Sequence, residues 1–247
     1  MFKLFSRSKP ATGTIDLSVL KVDMHSHLLP GIDDGSPDIV TSLSLIKGMM
    51  DMGYTKLVTT PHIMWDMYKN TSEIISQKLE VVREAVKAEG LNVEINAAAE
   101  YFLDDYVAGL VANNEPLLTI KDKMVLVEFS MAYPSHSLKD ILFDMQMQGY
   151  QPIIAHPERY IYLEQNKAFY GELKDLGCLF QLNLLSLTGY YGKSVTELAN
   201  YLVKQNAYDL VGTDLHHFRH LEALHSPALS VQLRKLLDSG RIRNAEL

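Results

Sequence analysis

One repeated unit constrains the fold of this chain more than any other feature: a helical pattern, a glycine, a short apolar strand and a polar residue where the strand ends. Helical patterns stop at Gly53, Gly90, Gly149 and Gly177, and a strand pattern follows each of them within three residues. Glycine is favoured at the left-handed position that closes a helix, so these residues are stop signals. Strands that alternate with helices in this way predict an α/β fold with a parallel sheet.

Seven short strands are predicted, and most of them are followed by a helix. The chain has 247 residues, a length common for single α/β barrels, and no linker rich in Pro, Gly or Ser interrupts the pattern. We therefore predict one domain over residues 21–247, closed into a barrel, and an N-terminal tail over residues 1–20. The predicted strands are Val22–His25, Lys56–Thr59, Asn92–Asn96, Met124–Val127, Pro152–Ala155, Leu179–Asn183 and Asp209–Val211.

Three sequence signals mark helix starts, and one of them is Ser226-Pro227, a capping residue before a proline. Ser36-Pro37 places a capping residue before a proline at the first helical position. Ser194 and Glu197 have the spacing of a capping box ahead of an apolar stretch. We expect one helix to begin at each of these places.

The first ten residues are basic and lack the unbroken apolar run of about 7–15 residues that a secretory signal needs. We interpret them as part of the tail. The alternative is a weak contact with a membrane surface through Phe2, Leu4 and Phe5. No stretch approaches the roughly 18 consecutive apolar residues of a transmembrane helix, so no membrane span is expected.

Charge and cysteine content exclude several classes of protein. The formal net charge is −7, whereas nucleic-acid-binding domains are typically basic, so no nucleic-acid partner is expected. A single cysteine excludes a disulfide framework and a cysteine-based zinc site, and it predicts a reducing, cytoplasmic location. Six residues after Cys178 stands Leu184 rather than the arginine of a thiol-based phosphatase, so we expect Cys178 to be a small buried side chain.

Six of the predicted strand ends carry His, Glu or Asp residues. Because the carboxyl ends of barrel strands meet at one rim, these side chains are expected to converge there. Imidazoles and carboxylates suit divalent transition metals such as Mn, Fe or Zn, and at least eight donors imply a cluster of two or three ions. The candidates are His25 and His27, His62, Glu100, Glu128, His156, and Asp214 and His216.

Each of these residues has a simpler interpretation when taken alone, namely solvated polarity in a loop. Together they favour a metal site, because unpartnered buried acids and histidines cost several kcal/mol each. Asp23 shares the side of His25 but lies one layer deeper, so we predict that it accepts a hydrogen bond from an imidazole and binds no metal. Four further histidines are interpreted as surface or structural residues: His136, His217, His220 and His225.

From residue 21 to about 225 the chain resembles the polymerase-and-histidinol-phosphatase (PHP) superfamily. The matching ligand motifs are, in order, Asp23-x-His25-x-His27, Asp34, His62, Glu100, Glu128, His156 and Asp214-x-His216. Three longer motifs resemble the bacterial metal-dependent tyrosine-protein phosphatases of capsule and exopolysaccharide operons, the CpsB type. These are His25-Ser-His27-x-x-x-Gly31-x-Asp33-Asp34-Gly35, Thr60-Pro61-His62 and His156-Pro157-Glu158-Arg159-Tyr160.

The resemblance implies a distorted (β/α)₇ barrel that holds two to three divalent ions, with manganese favoured over iron or zinc. It implies that Asp34, rather than Asp33, is a ligand. It implies that Arg159 holds the phosphate through its planar fork and that Arg219 is the second family arginine, although its spacing is short. The implied ligand sets are His25, His27, Glu100 and Asp214; Glu100, Glu128 and His156; and Asp34, His62 and His216.

The activity implied by the resemblance is hydrolysis of phosphotyrosine without a covalent enzyme intermediate. The implied partner is a phosphotyrosine-containing protein, the tail of a tyrosine autokinase that regulates capsular or exopolysaccharide synthesis. One alternative is a PHP phosphoesterase that acts on a small phosphomonoester such as histidinol phosphate. Another is a regulatory binding module that retains metals without turnover, against which Arg159 and the complete ligand set argue.

Overall fold

All seven predicted strands are present in the computed structural model, which describes residues 16–133 and 137–247. Two of the seven chain segments form a second short strand after a break of two residues, which gives nine strands over the described residues. The strands are β1 (Val22–Asp23), β2 (Lys56–Thr59), β3 (His62–Ile63), β4 (Glu94–Ala97), β5 (Glu100–Phe102), β6 (Met124–Glu128), β7 (Gln151–Ala155), β8 (Leu179–Asn183) and β9 (Leu210–Gly212).

The strands form two parallel sheets, in the orders β1-β2-β4 and β3-β5-β6-β7-β8-β9. The sheets share two chain segments, since β2 leads into β3 and β4 leads into β5. The first and last strands are also neighbours, because Asp214 N donates to His25 O (2.8 Å) and His27 N donates to Leu215 O (2.9 Å). The strand order therefore returns to β1, which confirms the prediction of a distorted (β/α)₇ barrel.

The described residues include eight α-helices, of which α1 to α6 lie between strands and α7 and α8 follow the last strand. The four predicted glycine stops are confirmed: Gly53, Gly90, Gly149 and Gly177 follow the ends of helices and have positive φ. The helices are α1 (Ile39–Asp51), α2 (Ser72–Ala88), α3 (Asp105–Ala112), α4 (Leu138–Met147), α5 (Ala168–Asp175), α6 (Lys193–Lys204), α7 (Phe218–Leu224) and α8 (Pro227–Leu237).

One of the three predicted helix starts is confirmed, because α8 begins at Pro227 with Ser226 as its capping residue. The other two are wrong by a short distance. Helix α1 is capped by Asp38, whose carboxylate accepts from Thr41 N (2.8 Å). Ser36 instead ties the preceding loop to the first strand, since its backbone N donates to His27 O (3.0 Å). Helix α6 already begins at Lys193, so the predicted capping box lies inside it.

Alternate residues of the strands divide between two apolar clusters. Leu126 and Ile153 belong to a small cluster enclosed by the strands, whereas Val127 and Ile154 belong to the larger cluster beneath the helices. Cys178 is buried in the larger cluster, as predicted. The strands thus form a packed cylinder that holds its carboxyl-terminal rim in place.

The larger core also includes the end of the predicted tail. Leu17 and Leu20 are buried, and Leu17 N donates to Met52 O (2.9 Å), so residues 17–20 pack with the domain. The proposed membrane-contact residues Phe2, Leu4 and Phe5, together with His136, lie outside the described residues. Within the described ranges, no helix is long and apolar enough to cross a membrane.

Candidate metal centre

The structure brings all nine predicted ligands to one place at the carboxyl ends of the strands. A cavity of about 500 Å³ opens there, and Arg159 lines it together with seven of the nine. His25 and His27, at the end of β1, are fully buried and contact Glu100 and Asp214. The seven that line the cavity are Asp34, His62, Glu100, Glu128, His156, Asp214 and His216.

The deepest cluster joins β1, β5 and the residue after β9. Nε2 of His25 and Nε2 of His27 are 3.4 Å apart. Glu100 Oε2 lies 3.2 and 3.4 Å from these two atoms, and Asp214 Oδ1 lies 3.4 and 3.5 Å from them. Donors that share one ion tetrahedrally, with bonds of about 2.0–2.2 Å, are about 3.3–3.6 Å apart. These five separations therefore fit donors that share a metal ion, with His25, His27 and Glu100 forming one candidate donor set and His25, His156 and Asp214 another.

A second cluster uses the other oxygen of Glu100. Nε2 of His156 lies 3.0 Å from Glu100 Oε1 and 3.7 Å from Glu128 Oε1. Nδ1 of His62 lies 3.2 Å from Glu100 Oε2 and 3.7 Å from Glu128 Oε2. Since Glu100 belongs to both the deepest and the second cluster, its carboxylate is placed to bridge two ions.

The third cluster is the most accessible of the three, because Asp34 is half exposed. Asp34 Oδ1 lies 3.5 Å from His62 Nε2 and 3.4 Å from His216 Nε2. One donor atom from each of these residues and from His27 lies within 4.8 Å of the others. The loop before α1 and the ends of β3 and β9 thus meet at one point of the rim.

Hydrogen bonds to the far nitrogen fix the orientation of two imidazoles. Nδ1 of His27 donates to Asp33 Oδ2 (2.8 Å), and Nδ1 of His25 donates to Gln181 Oε1 (2.9 Å). In both rings Nε2 is then free to bind a metal. The predicted contact of Asp23 with an imidazole is wrong, because its carboxylate accepts from the backbone N (2.9 Å) and Oγ1 (3.1 Å) of Thr213.

The role of Asp33 gives a testable prediction. Replacing Asp33 with Asn keeps the size of the side chain but removes the negative charge that orients His27. We expect the affinity for divalent metal to fall about 10- to 100-fold, which is typical when such a partner is lost. Calorimetric titration of the metal-free protein with Mn²⁺ would measure this, with Asp51→Asn at an exposed position as the control. Equal affinity in both variants would contradict the role.

The donor atoms are buried but incompletely satisfied. His62 Nδ1 and Glu100 Oε2 have no hydrogen-bond partner, although they lie 3.2 Å apart and Glu100 Oε2 also lies 3.2 Å from His25 Nε2. Such buried groups are normally paired. Atoms that bind the same cation lie close together without forming hydrogen bonds to one another. The two unpaired atoms therefore fit a metal centre.

The charge states of His62, His156 and Glu128 also fit divalent cations. Burial, followed by the effect of Arg159, lowers the pKa of His156 to about 4, and burial lowers the pKa of His62, so both imidazoles are neutral with free lone pairs. Burial and the neighbouring Glu100 raise the pKa of Glu128 well above its usual range. Two adjacent buried carboxylates repel each other, and a cation between them relieves that repulsion. None of the nine predicted ligands is a sulfur donor, which favours hard and borderline ions.

Arg159 is held at the cavity wall by two contacts. Its Nη1 donates to Asp214 Oδ2 (2.8 Å), and its guanidinium carbon lies 4.6 Å from the centre of the Tyr191 ring. Asn183 Nδ2 donates to both Asp214 Oδ2 (2.8 Å) and the Tyr191 hydroxyl (3.1 Å). Sequence reasoning missed Tyr191, Asn183 and Gln181. For Gln181 and Asn183 a signal existed, since both are polar residues in an otherwise apolar strand.

The structure does not bring Arg219 to the cavity. The backbone turns into α7 immediately after His216, with His217 as the capping residue, and Arg219 in the first turn is exposed to solvent. His220 is buried, with Nδ1 3.2 Å from Asp214 O, and it lines the cavity beside the exposed His217. Both histidines therefore have structural contacts, while His225 is exposed.

This fold and this site define the class of the protein: a parallel α/β barrel enzyme with His, Asp and Glu clusters able to bind metal at its carboxyl-terminal rim. The family model for capsular polysaccharide synthesis, CpsB/CapC, matches residues 21–235. The chain therefore belongs to the CpsB/CapC family, which confirms the resemblance inferred from the sequence motifs.

Individual relatives agree with this assignment. Tyrosine-protein phosphatase YwqE of Bacillus subtilis (strain 168) is 27% identical over 80% of this chain and 78% of its own length. Tyrosine-protein phosphatase CpsB of Streptococcus pneumoniae is 30% identical over 79% of this chain and 83% of its own length. A crystal structure from work on YwqE and CpsB, described there as unique metal-dependent tyrosine phosphatases, is 24% identical. It covers 90% of this chain and 94% of its own, with a TM-score of 0.75, and so supports the fold.

Proposed function

We propose that this protein is a metal-dependent protein-tyrosine phosphatase that acts in capsular or exopolysaccharide synthesis. One observation carries the proposal: three interlocking sets of His, Asp and Glu donors and one arginine line or underlie a single open cavity. Membership of the CpsB/CapC family and the names of the relatives support phosphotyrosine as the substrate.

The nine clustered residues would hold two to three divalent ions, with manganese as the first choice and iron or zinc as alternatives. When bound, such ions polarise a phosphoryl group and lower the pKa of bound water. Glu100 would bridge two ion positions, and Asp33 and Gln181 would keep His27 and His25 in their binding orientation. Arg159 would orient the phosphate through its planar guanidinium.

The proposed partner is a phosphotyrosine-containing protein, in particular the tail of a tyrosine autokinase, and the proposed location is the cytoplasm. The formal net charge of −7 provides no general attraction for a phosphorylated tail. Attraction would therefore have to come from the local positive field of Arg159 and the bound ions.

Removal and return of metal tests the proposal directly. We expect treatment with a chelator to reduce hydrolysis of a phosphotyrosine peptide at least about 100-fold, and added Mn²⁺ to restore it, because every donor set in the cavity needs a cation. Initial rates on the peptide and on histidinol phosphate, with and without chelator, would be the measurement.

Two outcomes would contradict the proposal. A higher kcat/KM for histidinol phosphate would favour a small-molecule phosphoesterase. No turnover of either substrate by protein with bound metal would favour a regulatory binding module.

A further inference from the structure

One wall of the cavity is apolar, in contrast to the donors on its floor. Met64, Met67 and Tyr68 come from the loop between β3 and α2, and Phe102 and Met131 come from the neighbouring strand ends. We call these five residues the methionine wall. They follow the strands β3, β5 and β6, so the wall stands directly beside the second metal cluster.

The loop that carries most of the methionine wall is closely tied to the site. Tyr68 N donates to Met64 O (2.7 Å) and Met64 N donates to Tyr68 O (3.2 Å), which closes a small hairpin. The buried Asn70 donates from Nδ2 to Ile32 O (2.9 Å) and to His62 O (2.8 Å). The Tyr68 ring stacks on His62, with an interplanar angle of 12°. The wall is therefore fixed in position relative to a metal-binding histidine.

A second set of contacts holds the outer side of this loop. Trp65 stacks on Tyr106 of α3, with ring centres 3.8 Å apart, and Trp65 N donates to Asp104 Oδ2 (3.0 Å). Met67 is nevertheless 64% exposed. The loop thus presents a large apolar side chain to solvent from a braced backbone.

Another part of the cavity lining has a different chemistry. It carries Arg159, whose guanidinium lies against Tyr191, together with His217 and His220. Cations and hydrogen-bond donors are sufficient to hold a phosphate, and a phosphate gains nothing from a methionine surface. The methionine wall therefore fits an apolar group that is attached to the phosphate.

We infer that the methionine wall is the subsite for the aromatic ring of the substrate, and that it makes the site prefer aryl over alkyl phosphates. The inference rests on the proposed function and assigns specificity to residues outside the metal clusters. A thioether adapts to the face or edge of a ring and makes favourable sulfur–aromatic contacts. A cavity of about 500 Å³ has room for a phenyl ring beside a phosphate.

Binding of two phosphonates that the enzyme cannot hydrolyse tests this inference. We expect Mn²⁺-loaded protein to bind phenylphosphonate about tenfold more tightly than methylphosphonate in calorimetric titrations. Met67→Ala should weaken phenylphosphonate about 3- to 10-fold and leave methylphosphonate unchanged, because only the ring contacts the wall. Met67→Leu, which keeps most of the apolar surface, should restore most of the loss.

Met147→Ala is the matched control, because Met147 is 71% exposed on α4 and does not line the cavity. With a phosphotyrosine peptide, Met67→Ala should raise KM by the same factor and leave kcat within about twofold. Equal binding of the two phosphonates by the wild type, or equal losses for both in Met67→Ala, would overturn the inference even if the peptide is hydrolysed. A retained phenyl preference without peptide hydrolysis would overturn the proposed function and support the subsite.

Discussion

Replacing Glu100 with Gln is expected to lower turnover of a phosphotyrosine peptide by about 10³-fold or more and to reduce the number of bound metal ions. Glu100 contacts four imidazoles: its Oε2 lies within 3.4 Å of His25, His27 and His62, and its Oε1 lies 3.0 Å from His156. Gln presents one neutral oxygen and one N–H donor in place of two anionic oxygens. It cannot bridge two cations, and loss of preorganised charge at such a centre typically costs orders of magnitude in rate.

Metal content per chain and initial rates, measured on the same preparations, check this expectation. Glu84→Gln is the matched control, because Glu84 is exposed on α2 and away from the cavity. A melting temperature for the metal-free variants separates loss of metal from loss of the fold. A Glu100→Gln protein with full metal content and unchanged kcat would remove Glu100 from the centre.

Much of the architecture could be predicted because its signals are local. Gly149 and Gly177 end helices through their own backbone conformation, and the apolar strands after them need no distant residue to be recognised. Eight of the nine residues that meet at the rim could be predicted, since histidines and acids at the ends of buried strands have few simple explanations, and Asp34 was added by the family motif. The order of the family motifs added the grouping of these residues into ligand sets, which the spacing along the chain could not provide.

The errors came from contacts between residues far apart in the chain. Gln181 holds His25 across 156 positions, and nothing near either residue reveals the pair. Asp23 looked like the partner of an imidazole because it precedes His25 by two residues, yet the side chain it contacts is that of Thr213, 190 positions away. The predicted start of α1 is wrong because the Asp38 carboxylate caps the helix, while the backbone N of Ser36 bonds to His27 O in the segment after β1.

Sequence reasoning also did not distinguish core methionines from those at the site. Met145 is buried in the core, whereas Met147, two residues further along α4, is 71% exposed. Met67 has a similar local sequence context but is exposed beside the metal clusters. The hairpin that places it there depends on Asn70 and on Trp65 against α3, and composition or periodicity does not predict such tertiary contacts.

Substitution of Arg159 is expected to have the second large effect, with kcat reduced about 10²-fold for Arg159→Lys and about 10³-fold for Arg159→Ala. Asp214 and the Tyr191 ring hold the guanidinium in one orientation. Burial opposes its charge, but Asp214 prevails and raises the pKa of Arg159, so the group remains cationic. Lysine keeps the charge but loses the planar fork and the stacking on Tyr191, which explains the graded losses.

The metal content of these variants distinguishes phosphate binding from support of the metal centre. Because Arg159 is a cation and contributes no donor to the clusters, both variants should retain the metal stoichiometry of the wild type while kcat falls. Arg234→Lys, at an exposed position of α8, is the matched control and should behave as the wild type. Unchanged kcat with full metal loading would exclude Arg159 from catalysis. Loss of metal together with activity would show that Arg159 acts by stabilising the position of Asp214, its direct partner at 2.8 Å.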